Sequence, residues 1–207
     1  MRILILPFLC AVLLAAPANG ATIVYSGIQD LPIPLNSEGT YLQIESGATA
    51  AVFPPDWATA PWINPFFGGV YIGNSPLLRP VITGTDQILQ LEPGTVINGG
   101  SNFVAGESGS TTHLGGGPGQ FTLNVPGYLG FTFRPTVGGP DYYGWLQIEI
   151  HNTGPGKIIS WAYDNTPGAP IEAGATIAPE PGVLALIGLA GAGLALRRRR
   201  GTGYSML

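Results

Sequence analysis

The stretch Gly106–Ser110, GESGS, is the pattern in this sequence that comes nearest to a catalytic nucleophile. A nucleophile elbow needs Gly at the fifth position and a strand-to-helix turn around the Ser. Ser110 stands at that fifth position, and no helical period follows it. A triad with His ahead of Ser fails too, because both histidines, His113 and His151, come later in the chain. A flexible loop is the better account of Gly106–Gly119, which contains almost nothing apolar. Gly154–Lys157, GPGK, lacks the Ser or Thr that a phosphate-cradling loop places after its Lys; Ile158 is there instead. The two histidines have neither the close spacing nor the cysteines of a zinc site, and read as solvated surface residues.

Carboxylates are the remaining catalytic candidates. A glycosidase needs two of them about 5–10 Å apart across a cleft, and eleven acids lie between Ala21 and Ala178. A polysaccharide hydrolase built on such a pair therefore stays open as a second alternative, with Glu149 beside an outward-facing Trp145 on one strand. Ordinary solvated acids are the simpler reading, and no enzyme is expected. No cofactor is required either; calcium is the one ion with hard-oxygen ligands to hand, at Asp141 and at Asp164–Asn165, without EF-hand spacing.

The aromatics offer a binding alternative. Phe53–Gly69, FPPDWATAPWINPFFGG, gathers Trp57 and Trp62 with Phe53, Phe66 and Phe67 among prolines. Proline-rich segments make poor regular strands, so this one is expected to be a loop. Either its rings plug an open end of the core, or some stay exposed and stack on sugars. Trp57, Trp62 and Trp145 are the candidate stacking residues, which would make the domain a carbohydrate-binding module for exopolysaccharide. Tyr142, Trp145 and Trp161 also suit core or cross-strand positions.

The elements that must position these residues are short strands. The chain has 207 residues with 32 Gly and 20 Pro, yet only 10% are charged and 10% are aromatic. Turn formers and large rings together argue for a core built from strands and tight turns rather than for disorder. Strand signals fall at 22–26, 41–45, 68–73, 87–91, 95–97, 121–125, 129–133, 142–150 and 157–163. Pro126–Gly127–Tyr128 is expected to turn one hairpin, and residues 151–156 another. Along 142–150, Gly144, Leu146, Ile148 and Ile150 alternate with Trp145, Gln147 and Glu149, the period of two of a half-buried strand. A last edge strand is expected near Ile171. No window of the body has a helical apolar period free of Gly and Pro. The expected fold is all-β, a single antiparallel β-sandwich or jelly-roll-like domain over 21–174.

Charge excludes one class of partner. Three basic against eleven acidic side chains leave Ala21–Ala178 at −8, without the clustered Lys and Arg that phosphate backbones require. Nucleic acid is not a partner.

The two ends read as addresses. Arg2, the apolar run Ile3–Leu14 and the small residues Ala15, Ala16, Ala18, Gly20 and Ala21 have the order of a secretory signal peptide. Residues 1–20 are therefore expected to be removed, taking the one cysteine, Cys10, with them. At the other end, Gly182–Leu196 is uncharged and Arg197, Arg198, Arg199 and Arg200 follow. As a helix those 15 residues would measure about 22 Å, short of a hydrocarbon core of about 30 Å, a deficit that snorkelling and thinning cover. The arginines would hold the cytoplasmic side and the acidic body the other. The expected division is a linker at 175–181, a transmembrane helix with its arginine cluster at 182–200, and a short tail at 201–207.

Pro179, Glu180 and Pro181, the apolar span and the four arginines resemble the PEP-CTERM sorting signal of exported bacterial proteins. The triplet matches at 179–181, the span at Val183–Leu196 and the basic stop at Arg197–Arg200; the seven residues after the arginines are longer than the family's usual ending. The resemblance implies an exosortase as partner, transient membrane anchoring, and delivery to the surface or matrix of an exopolysaccharide-producing Gram-negative bacterium. The prolines block helical hydrogen bonds and keep the triplet extended, a form that a processing enzyme can grip. GYLGFTF, YYGWLQIEI and WAYDNTPGAPIEAG also resemble the last strands of β domains that precede such tails.

Overall fold

The computed structural model describes residues 22–84, 87–105, 111–112 and 121–177. The expected signal peptide, the sorting triplet, the membrane span and its arginines, and most of the Gly106–Gly119 loop with His113, lie outside the described residues. All the described residues belong to one unit, Ala21–Ala178. Among them every regular element is a strand and every pairing is antiparallel.

The first sheet runs in the order β1 (Ile23–Tyr25), β13 (Gly156–Asp164), β12 (Tyr142–Glu149), β11 (Pro126–Phe133) and β7 (Leu78–Pro80). β2 (Leu31–Ile33) continues the β1 side of β13, and β8 (Gln90–Leu91) continues the β7 side of β11. The second sheet has the order β10 (Thr111–Thr112), β6 (Tyr71–Asn74), β5 (Trp62–Phe66), β3 (Tyr41–Gln43) and β4 (Thr49–Ala50). A small third pair joins β9 (Val96–Ile97) to β14 (Ile171–Glu172). β14 is the edge strand expected near Ile171.

Side chains of the two large sheets meet in one buried cluster. Ile33, Leu129, Phe131, Phe133, Leu146, Ile148 and Ile158 come from the first sheet; Leu42, Ile63 and Ile72 come from the second. Gly144 lets β12 approach this core, since a Cβ there would lie 2.4 Å from the Phe131 ring. A register shift opposite Gln147 and Ile148 leaves Ile159 without a cross-strand partner on β12. That bulge resets the alternation, so Ile158 and Trp161, three residues apart, both reach the main core.

The opposite face of the first sheet is covered as well. Tyr143, Trp145 and Ala162 pack there with Val81, Leu91, Ile97, Ile171 and Ala173. The β9–β14 pair and β8 supply most of this cover, so β12 is buried on both sides over Tyr143–Leu146. This corrects the half-buried reading of that strand: the alternation is real, but its second face points into a second, smaller core.

Two local expectations change. Pro126–Gly127–Tyr128 is not a hairpin turn; it is the start of β11, paired with Gln147–Glu149. The chain bends earlier, at Asn124, whose φ of 60° is a left-handed conformation that Asn tolerates. Residues 121–125 form no strand, and Phe121 is buried instead. Nor is Phe53–Gly69 a loop throughout, because Trp62–Phe66 is a strand between β3 and β6. Pro65 fits there because its carbonyl accepts from the Thr40 N–H at 3.0 Å, just ahead of β3. The N–H that proline lacks would point the same way, where no β3 residue pairs with it.

Candidate functional site

The three tryptophans proposed to stack on a ligand fall in different surroundings. Trp62 lies inside β5 and is buried, and its Nε1–H donates to Asp56 Oδ1 at 3.1 Å. Trp145 is 1% exposed, with Tyr25 on one side (6.0 Å) and Tyr128 edge-on (5.3 Å); its Nε1–H donates to the Ala175 carbonyl at 3.0 Å. Neither ring offers a face to a ligand, which corrects both assignments. Glu149 and Trp145 accordingly do not form one open face.

Trp57 is half-buried and belongs to a surface triad. It meets Tyr41 edge-on at 5.6 Å and Phe53 at 5.3 Å, and Phe53 is 60% exposed beside an exposed Val52. The rings sit in contact with one another, so the triad is a packed apolar prominence and not an open cage. The Tyr41 phenol is held above its usual range by burial and by the adjacent Glu38.

The ionic groups pair among themselves. Glu149 binds His151 Nε2 at 2.9 Å and Lys157 Nζ at 3.2 Å. The hydrogen bond from His151, ahead of the help from Lys157, holds its carboxyl below the usual carboxylate range. Asp141 lies between Arg134, at 2.8 Å, and Arg79, at 3.6 Å. Asp164 Oδ1 accepts from the Thr166 N–H at 2.8 Å and fixes the turn after β13. Among the described residues, no three His, Cys, Asp or Glu side chains converge. Of the oxygens considered for calcium, those of Asp141 are engaged by two guanidinium groups and Oδ1 of Asp164 by a backbone amide.

One concave feature had no local signature in the sequence. A groove of about 270 Å³ is lined by Val24, Ser26, Gln29, Glu45, Gly47 and Trp161. Burial raises the Glu45 carboxyl, an effect that a hydrogen bond from Gln43 only partly offsets. The groove draws on β1, the turn after β3, and β13, which lies more than a hundred residues further along the chain.

The last described residues of the body are held in place up to Ala175. β14 pairs with β9, the Ala175 N–H bonds the Glu172 carbonyl, and Trp145 grips the Ala175 carbonyl. Ile177, two residues on, is 81% exposed. No curated protein and no solved structure matches the chain. Residues 178–200, which take in Pro179–Glu180–Pro181 and Arg197–Arg200, match the PEP-CTERM protein-sorting motif, so this chain carries that sorting signal at its C-terminal end.

Proposed function

We propose that this chain is a non-enzymatic exported protein whose β-sandwich body is carried to the bacterial surface or extracellular matrix by its C-terminal sorting tail. Its N-terminal 20 residues act as the export signal. Gly182–Leu196 then anchors the body in the inner membrane with Arg197–Arg200 on the cytoplasmic side, and an exosortase trims the chain near the triplet. The observation that carries this reading is the match of residues 178–200 to the PEP-CTERM motif. The pairing of ionic side chains within the body supports a non-enzymatic role, because Glu149 and Asp141 are each engaged by cations rather than by another carboxylate.

Fractionation of the native host tests the proposal. Wild-type protein should collect outside the inner membrane, while Arg197–Arg200 changed to Ala should lose stop-transfer and its normal distribution. An unchanged distribution of that variant would count against anchoring through the span. A carbohydrate-binding role has one remaining foothold in the notable exposure of Phe53 beside Trp57. A glycan array probed with the wild type and with Phe53→Ala decides it: glycan signals that the substitution leaves unchanged would remove that role from the triad.

A further inference from the structure

The turn after β9 holds the parts of a reaction that needs no enzyme. Asn98 is the one asparagine between residues 21 and 178 that precedes a glycine. It opens a tight turn, in which the Ser101 N–H donates to the Asn98 carbonyl at 3.0 Å and the Asn98 N–H donates to Ser101 Oγ at 3.2 Å. Its side-chain Oδ1 accepts from the Gly100 N–H at 2.8 Å, which folds the amide back along the main chain. Asn98, Gly99 and Gly100 are all exposed to water. Among the described residues no hydrogen bond takes up the Gly99 N–H.

These groups put a nucleophile, an electrophile and an oxyanion donor in one turn. The Gly99 nitrogen, once deprotonated, is the nucleophile, and the Asn98 amide carbon is the electrophile. Negative charge then develops on Oδ1, where the Gly100 N–H already donates. Gly99 has no Cβ to obstruct ring closure, and its backbone can rotate to allow it. Asn36 supplies the contrast. Its Oδ1 also accepts a backbone N–H, from Gly39 at 2.8 Å, and it is exposed as well, but Ser37 follows it.

We propose that Asn98 is a site of spontaneous deamidation, with water as the co-reactant. The Gly99 nitrogen bonds to Asn98 Cγ, the bond from Cγ to Nδ2 breaks, and Nδ2 leaves as ammonia with the proton from Gly99. Water then opens the cyclic imide. Cleavage of the new bond to Cγ leaves aspartate at this position; cleavage of the original peptide bond leaves isoaspartate, with an extra main-chain methylene. The second product lengthens the chain directly after Ile97, whose buried side chain packs in the cluster that covers Trp145. The reaction thus marks the age of the body at the strand that roofs its second core. This site is separate from the sorting tail and does not rest on its reading.

Peptide mapping by mass spectrometry tests it, on the purified full chain aged in detergent micelles at pH 7 and at pH 8. Asn98 should convert from amide to acid about tenfold faster than Asn36, a difference set by the Cβ of the following residue. Isoaspartate should appear among its products. The rate should rise about tenfold between the two pH values, because the attacking nitrogen must first lose its proton. In the isoaspartate form the Trp145 indole N–H should exchange with solvent about tenfold faster than in fresh protein, and unchanged exchange would overturn the link to the roof. Conversion at Asn98 no faster than at Asn36 would overturn the proposal. So would aspartate without isoaspartate, the mark of direct amide hydrolysis rather than attack by Gly99. Both asparagines are compared within the unaltered protein, so no variant has to fold.

Discussion

Two aromatic clusters in this chain have similar ingredients and opposite fates. Tyr25, Tyr128 and Trp145 pack on one face of the first sheet, and Trp145 ends 1% exposed. Tyr41, Phe53 and Trp57 pack at the end of the second sheet, and Phe53 ends 60% exposed. What separates them is a third layer. β9 and β14 close over Trp145, bringing Ile97, Ile171 and Ala173 against it, whereas nothing equivalent covers Phe53 among the described residues. Burial of a ring is decided by whether a distant piece of chain returns to cover it.

Substitution of the rings breaks the comparison most sharply. Trp145→Ala removes a fully enclosed side chain and the donor to Ala175, and should lower unfolding free energy by about 3–5 kcal/mol. Phe53→Ala should change it by no more than about 0.5 kcal/mol, as for other exposed positions. Urea melts of both variants measure the contrast. Similar losses in the two would mean that the third layer does not hold.

Gly144 sharpens the same point from the main core. An added Cβ would meet the Phe131 ring at 2.4 Å and the Ala162 carbonyl at 2.7 Å, and the carbonyl is backbone that cannot turn aside. Gly144→Ala should cost about 1–3 kcal/mol by overpacking. Alanine is a better strand residue than glycine, so a stabilised variant would contradict the close packing of β11 and β12.

The smallest effect is ionic. The Glu149 carboxyl is depressed in the folded state, chiefly by His151. Its contribution is therefore present above the unfolded carboxylate value, about 4.3, and is lost as pH falls through the lower folded value. The cluster is part-exposed, so it is worth about 0.5 kcal/mol at neutral pH. Glu149→Gln should remove that increment at pH 7 and flatten the acid limb of the stability curve below about pH 4. An acid limb identical to wild type would show that the pair contributes nothing.

How much of this was legible in the sequence follows the same division between local and remote causes. The strands around 142–150 and 157–163 and the turn between them stand out because their alternation and their Gly and Pro punctuation are local. The charge balance and the sorting tail are legible for the same reason. Pro126–Tyr128 misleads, since Pro-Gly is a turn signal by composition, yet pairing with Gln147–Glu149 holds it extended. Pro65 misleads likewise, because only the start of β3 at Tyr41 shows that no ladder bond is lost there. Trp145 reads as outward because Gln147 and Glu149 share its face; the cover comes from Ile97 and Ile171, far off in the chain. The groove at Trp161 is hidden for the same reason, being assembled from residues 24–29, 44–47 and 161.

The central claim is that a folded β body is delivered by a removable tail. Intact-mass spectrometry of the protein recovered from outside the native host's cells examines it directly. The account predicts a chain that starts near Ala21 and stops close to Pro179–Pro181, with a longer form accumulating when the exosortase is deleted. Recovery of molecules still ending at Leu207 from exosortase-competent cells would contradict it.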